Sequence, residues 1–345
     1  MKFSVIIPVR NAQDTLKPCL DAVFSSENRD LEVILVDDNS ADRSRAIAGR
    51  YPCKIVALKE NKGTAIARNI GKEHARGETL VFLDADAVIK KNSLNIIDKD
   101  FAHGSDIVAV TGILSKECPH KNFFSQYKNL YMHYIFRRCP RFIDFLYGSI
   151  VAIKKDDFLP FNEQFKITDD TELGQRYKRL NKKILLDPEL EVTHLKKYDL
   201  KSIIRNDFSV PFWWVKSFIL HNGLRDVFRK KRFSHARIDQ IAGILTSYIV
   251  LVSAAFCFNL AMRAIFFISI FTFFFLNRDF FIFLGREKGF LYMTRSALFN
   301  YLDALVMGLG ISAGALKFLT WNFSGGSKSE EVYLISQDLD RNAQL

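Results

Sequence analysis

Residues 79–86, Thr-Leu-Val-Phe-Leu-Asp-Ala-Asp, decide how the first half of this chain is read. The apolar run Leu80-Val81-Phe82-Leu83 predicts a buried strand, and two carboxylates one residue apart, Asp84 and Asp86, end it. Upstream the pattern repeats: short β-branched runs at 3–9, 31–36 and 54–58 alternate with helix signals at 15–24, 40–50 and 64–74. Short strands alternating with helices of about three turns imply βαβ units, hence an α/β fold with a mostly parallel sheet and flanking helices. Polar groups follow three of these strands, at the carboxyl edge where open α/β sheets bind ligands. Further strand-like runs lie at 107–110, 149–153 and 183–187.

The whole chain has 345 residues, 48% hydrophobic and 25% charged, a mix that excludes disorder and collagen-like repeats. Five cysteines without CxxC spacing exclude a zinc or disulfide scaffold and fit a reducing compartment. The net charge of +11 suits nucleic acid, an anionic membrane or phosphate-bearing ligands. The cations are spread along the chain with no zinc-finger, helix-turn-helix or RNP signature, so nucleic acid is not expected as a partner. The N-terminus does not read as a signal peptide, because the apolar run after Lys2 is short and ends at Pro8.

The second half reads as membrane. Eleven of the 32 phenylalanines fall between Phe256 and Phe283, and 241–276 carries one charge, Arg263. That length predicts two spans, about 241–258 and 260–276. A third, about 297–321, contains Asp303, Lys317 and a small-residue face at Gly310 and Gly314. Residues 198–240 place Trp213 and Trp214 among cations, as a helix at a lipid headgroup layer needs. Positive charge before the first span and across 277–295 puts the first 197 residues on the cytoplasmic side of the cytoplasmic membrane. A polar tail, 322–345, closes the chain.

Four polar constellations carry the chemistry. Asp37 and Asp38 can accept hydrogen bonds from a ribose hydroxyl or a base N–H, with Asn39 or Ser40 as a helix cap beside them. Gly63 before a helix start lets backbone approach a ligand, and Lys62 and Arg68 favour anions there. Asp84 and Asp86 suit Mg2+ or Mn2+ held against a diphosphate. Asp169, Asp170 and Glu172 open a helix, where they either stabilise its dipole or supply a general base.

In this order, SVIIPVRN, VDDNSAD, NKGTAIARNIG, FLDADA and TDDTEL, the motifs resemble those of glycosyltransferase family 2 with the GT-A fold, over roughly residues 1–200. The resemblance implies a nucleotide-sugar donor, with Pro8 and Val9 lining its pocket and Asp38, with Asp37, holding base or ribose. It implies that Gly63 and Arg68 border the nucleotide, and that Asp84 and Asp86 serve ribose, diphosphate and metal. His194 falls near metal or diphosphate, Gly148 and Ser149 at the acceptor pocket, and Asp170 at the catalytic base. Asp169 stands where the family usually has Glu and shares the candidacy. The Gln-x-x-Arg-Trp motif of processive synthases does not follow the base, so transfer of a single sugar is expected. The expected acceptor is lipid-linked or membrane-associated. Polyprenyl-phosphate glycosyltransferases, and a non-catalytic membrane protein with a degenerate nucleotide-sugar domain, share parts of this pattern.

Overall fold

A computed structural model describes residues 1–165 and 167–323, with side chains to residue 319; the tail expected at 322–345 lies, from 324 on, outside the described residues. The chain forms two compact units, Met1–Ile203 and Ile204–Leu345.

The first unit runs β1 (Phe3–Val9), α1 (Leu16–Phe24), β2 (Leu31–Asp37), α2 (Ser44–Ala48), β3 (Lys54–Ala57), α3 (Thr64–Glu73), β4 (Thr79–Leu83) and β5 (Ala87–Ile89). It continues with α4 (Ser93–Ala102), β6 (Ile107–Leu114), α5 (Phe123–Arg137), β7 (Phe142–Ile143), β8 (Ile150–Lys154), α6 (Asp169–Arg179) and β9 (Lys183–His194). The strands form one sheet in the order β3-β2-β1-β4-β8-β6-β9-β5, with β7 also paired to β9. β1 to β4 are mutually parallel; β8 opposes its neighbours β4 and β6, so β6 and β9 regain the first direction. Six of nine strands therefore point one way, with β5, β7 and β8 against them.

Period-two alternation splits the core into two layers. Val5, Ile7, Val33, Leu35, Val81 and Leu83 pack with α1 and α4 on one face; Ile6, Ile34, Val36, Leu80 and Phe82 pack with α3 and α6 on the other. β4 is buried along its whole length, as its uninterrupted apolar sequence requires. The helix expected over 40–50 contracts to Ser44–Ala48. Asp37 accepts from the Ser40 amide, Asn39 takes a left-handed φ of 57°, and Asp42 accepts from the Ser44 amide, so short polar side chains hold a turn there.

The second unit contains α7 (Leu200–Leu220), which carries the chain across the division, α8 (Gly223–Lys230), a small hairpin of β10 (Arg232–Phe233) and β11 (Ala236–Arg237), and α9 (Ile238–Ala255). α10 (Leu260–Leu276), α11 (Arg278–Lys288) and α12 (Phe290–Phe323) follow. Among the described residues α9 and Phe290–Leu319 of α12 are long and apolar enough to cross a membrane; α10 and α11, bent by 56° about Asn277, make a third only if counted together. The last apolar helix starts at Phe290, ahead of the expected 297, because Phe290, Leu291 and Met293 extend its apolar run. Tyr248 donates to the Leu305 carbonyl at 2.8 Å and Tyr301 to the Ser247 carbonyl at 3.2 Å, joining α9 to α12. Side chains at Gly310 or Gly314 would collide with the Phe208 and Phe212 carbonyls, so those glycines allow α7 and α12 to meet backbone to backbone.

Candidate active site

The four polar constellations meet at the carboxyl edge of β1, β2 and β4. A cavity of about 810 Å³ opens there, lined by Pro8, Val9, Asp38, Asp84, Asp86 and His194 among the residues expected from sequence. His120 lines it as well, as do Arg10, Lys196 and Lys197, three residues that sequence reasoning had not singled out.

Asp38 and Asp37 have separate tasks. The Asp38 carboxylate accepts from the amides of Lys62 (2.7 Å) and Gly63 (2.9 Å), tying the loop before α3 to the end of β2. Gly63 has a φ of +95°, a conformation that side chains resist, and so turns the chain into α3 beside that carboxylate. Asp37 is fully buried, pairs with Arg45 at 2.6 Å, and is not part of the cavity wall. Asp38→Asn removes one of two acceptors for adjacent amides and is expected to raise the donor KM about tenfold with little change in kcat; steady-state kinetics at saturating acceptor check this.

Arg68 joins the acidic motifs. It is buried on α3, donates through Nη1 to Asp169 at 2.8 Å and through Nη2 to Asp84 at 3.0 Å and to the Gly148 carbonyl at 3.3 Å, and its guanidinium lies over the Phe161 ring. One planar cation thereby fixes the end of β4, the start of α6 and the loop ahead of β8. Asp170 accepts from the Gly148 amide at 2.8 Å and from the Thr171 amide at 2.7 Å. A Cβ on Gly148 would stand 3.0 Å from Arg68 Nη2 and 3.1 Å from Asp170 Oδ2, so any side chain there would push these groups by a few tenths of an ångström. Ser149, buried behind it, leads into β8. Arg68, Gly63, Gly148, Ser149, Asp169 and Asp170 support the site without lining the cavity itself.

Burial raises the Asp170 carboxyl to about 6, with Asp169 adding to the rise and Arg68 opposing it. Burial likewise lifts Asp84 to about 7, Arg68 pulling it down while Asp86 and Asp170 push it up. One guanidinium faces more carboxylates than it can neutralise.

β5 supplies the remaining geometry. Its antiparallel pairing sets Ala87 opposite His194, and Leu195 donates to the Asp86 carbonyl at 2.7 Å. His194 Nε2 consequently lies 3.4 Å from Asp86 Oδ1, and burial lowers its affinity for a proton. A neutral imidazole beside a carboxylate is a competent pair of ligands for a divalent ion. Asp84 turns one oxygen to Arg68, and among the described residues no three carboxylate, imidazole or thiol groups converge as a ligand cage. Mg2+-type ions that bridge phosphates take only one or two carboxylates from protein, so the donors present fit an ion completed by a diphosphate.

A mixed α/β sheet with an acidic cavity at the carboxyl ends of its strands defines this unit as a GT-A domain. Residues 4–159 match the Glycosyl transferase family 2 model, and the unit is a family 2 glycosyltransferase domain. The minor teichoic acid biosynthesis protein GgaB of Bacillus subtilis (strain 168) is 30% identical over 240 residues, covering 63% of this chain and 25% of that protein. The succinoglycan biosynthesis protein ExoO of Rhizobium meliloti (strain 1021) is 31% identical over 106 residues, covering 30% of each. The chain thus spans less than a third of either relative's length. Among solved structures, the mannosyltransferase PcManGT from Pyrobaculum calidifontis, in complex with GDP-Man and Mn2+, superposes with a TM-score of 0.56 at 19% identity, over 92% of this chain and 87% of that one, a likeness of fold.

Proposed function

We propose that this protein is an inverting, non-processive glycosyltransferase that moves one sugar from a UDP- or GDP-sugar to a hydroxyl of a membrane-associated, lipid-linked acceptor. The observation that carries this reading is the Arg68 hub, which binds Asp169, Asp84 and the Gly148 carbonyl, so that Asp170, held by the Gly148 amide, stands behind the cavity that Asp84 and Asp86 line. The main chain of Pro8 and Val9 flanks the nucleotide, Asp38 holds the loop that closes over it, and Arg10, Lys196 and Lys197 offset diphosphate charge. Asp170, ionised and oriented by the Gly148 amide, takes the proton of the acceptor hydroxyl. The acceptor oxygen bonds the anomeric carbon from the face opposite the leaving group, and the carbon–oxygen bond to the diphosphate breaks with its electron pair on the departing nucleotide. Asp86, with His194 and Asp84, would hold Mg2+ or Mn2+, which would neutralise charge on that diphosphate.

Two apolar helices long enough to cross a bilayer, together with relatives named for teichoic acid and succinoglycan biosynthesis, support an envelope glycan as acceptor and residence in the cytoplasmic membrane; the cations ahead of α9 and across 277–295 favour an inward active site. The test is donor hydrolysis by detergent-purified protein over a panel of UDP- and GDP-sugars, with Mn2+, Mg2+ or chelator. One donor is expected to turn over only with metal, and Asp86→Asn to lower that rate about 100-fold or more. Folded protein that binds no nucleotide would sink the reading.

A further inference from the structure

α8 is an eight-residue helix whose surface does not match its neighbourhood in the second unit. Leu224 and Phe228, four residues apart and so on one face, are 64% and 81% exposed. Arg225 and Arg229 repeat the same spacing one position on and form an exposed cationic ridge alongside. Lys230 and Lys231 are exposed at the carboxyl end. Asp226 is buried on the opposite side of the helix. An apolar ridge flanked by guanidinium groups is costly to hold in water and matches the boundary between acyl chains and anionic headgroups. The chain around it favours that occupant over protein: a two-stranded hairpin separates Lys230 from Ile238, where the first membrane-length apolar helix begins.

We propose that α8 docks on the surface of an anionic bilayer, with Leu224 and Phe228 inserted among acyl chains and Arg225 and Arg229 on phosphate headgroups. This deepens the membrane reading of the proposed function by naming the element that selects the lipid. Each cation near an anionic surface favours the docked state about fivefold, so Arg225 and Arg229 together contribute about thirtyfold, an advantage that salt reduces. Docking restricts the helix and its connection to α9, while the donor cavity is built from other residues.

The experiment uses the full chain in nanodiscs of phosphatidylcholine, alone or with phosphatidylglycerol, carrying Phe228→Trp and read as the difference from the parent protein. Lipids brominated in the acyl chains should quench the new tryptophan, more strongly when phosphatidylglycerol is present. Arg225→Gln with Arg229→Gln should remove that lipid dependence. Metal-dependent donor hydrolysis should persist with all three substitutions in place, which separates failure here from failure of the active-site reading. An emission blind to brominated lipid, or quenching indifferent to phosphatidylglycerol and to both arginines, overturns the proposal. So does a spectral change that follows protein concentration instead of lipid, which would assign the ridge to a second copy of the chain.

Discussion

Asp170→Asn should lower sugar transfer about 100- to 10,000-fold, the range a positioned general base supplies, and leave donor affinity nearly intact. The separation follows from geometry. Asp170 stands behind Gly148 and outside the wall of the donor cavity, and an asparagine oxygen can still accept from the Gly148 amide. Loss of the proposed base should therefore remove chemistry without loosening the nucleotide. Single-turnover rates alongside calorimetric donor binding measure the two effects separately, and a tenfold loss of binding with unchanged kcat would contradict the assignment.

The wild-type pH profile tests the same residue from another direction. Burial holds the Asp170 carboxyl near 6, so the working, ionised form is lost as pH falls through that value. With acceptor and donor saturating, kcat should rise on the acid side with a midpoint near 6 and flatten above it. The acid limb should vanish in Asp170→Asn, whose residual rate has no such proton to lose.

Much of this site was legible because its motifs are local. A buried strand followed at once by Asp84 and Asp86, or a helix opening on Asp169 and Asp170, is visible in a few adjacent residues. What escaped notice depends on partners far apart in sequence. β5 is three residues long and has no periodicity to detect, yet its pairing with β9 brings His194 to Asp86. Asp37 and Asp38 look equivalent in sequence; only the fold buries one against exposed Arg45 and turns the other to the loop before α3. Lys196 and Lys197 belong to no motif, and only the end of β9 brings them to the cavity. The Ser44 helix fell short of expectation because Asp37, Asn39 and Asp42 offer the backbone competing hydrogen bonds that a periodicity count ignores.

The same dependence on distant partners makes Arg68 the most consequential position outside the chemistry. Arg68→Met preserves length and the contact with Phe161 but leaves two carboxylates facing a buried space without their cation. Breaking one side of a buried ion pair costs about 3–5 kcal/mol, and for a domain of this size that corresponds to a melting temperature roughly 6–20 °C lower. Arg68→Lys should recover only part of the loss, since one ammonium cannot reach Asp84, Asp169 and the Gly148 carbonyl in the plane a guanidinium offers. The pH dependence gives the sign. Without the guanidinium, nothing offsets the burial that already raises Asp84, and the folded state binds a proton there that the unfolded chain, with an ordinary value near 4, has already released. Stability of Arg68→Met must then fall as pH rises above about 4, so its deficit against the parent should be smaller at pH 5 than at pH 8. Thermal unfolding at the two pH values measures this directly. A deficit that is equal at both would mean that Arg68 acts through packing on Phe161 and not by holding the acidic motifs together.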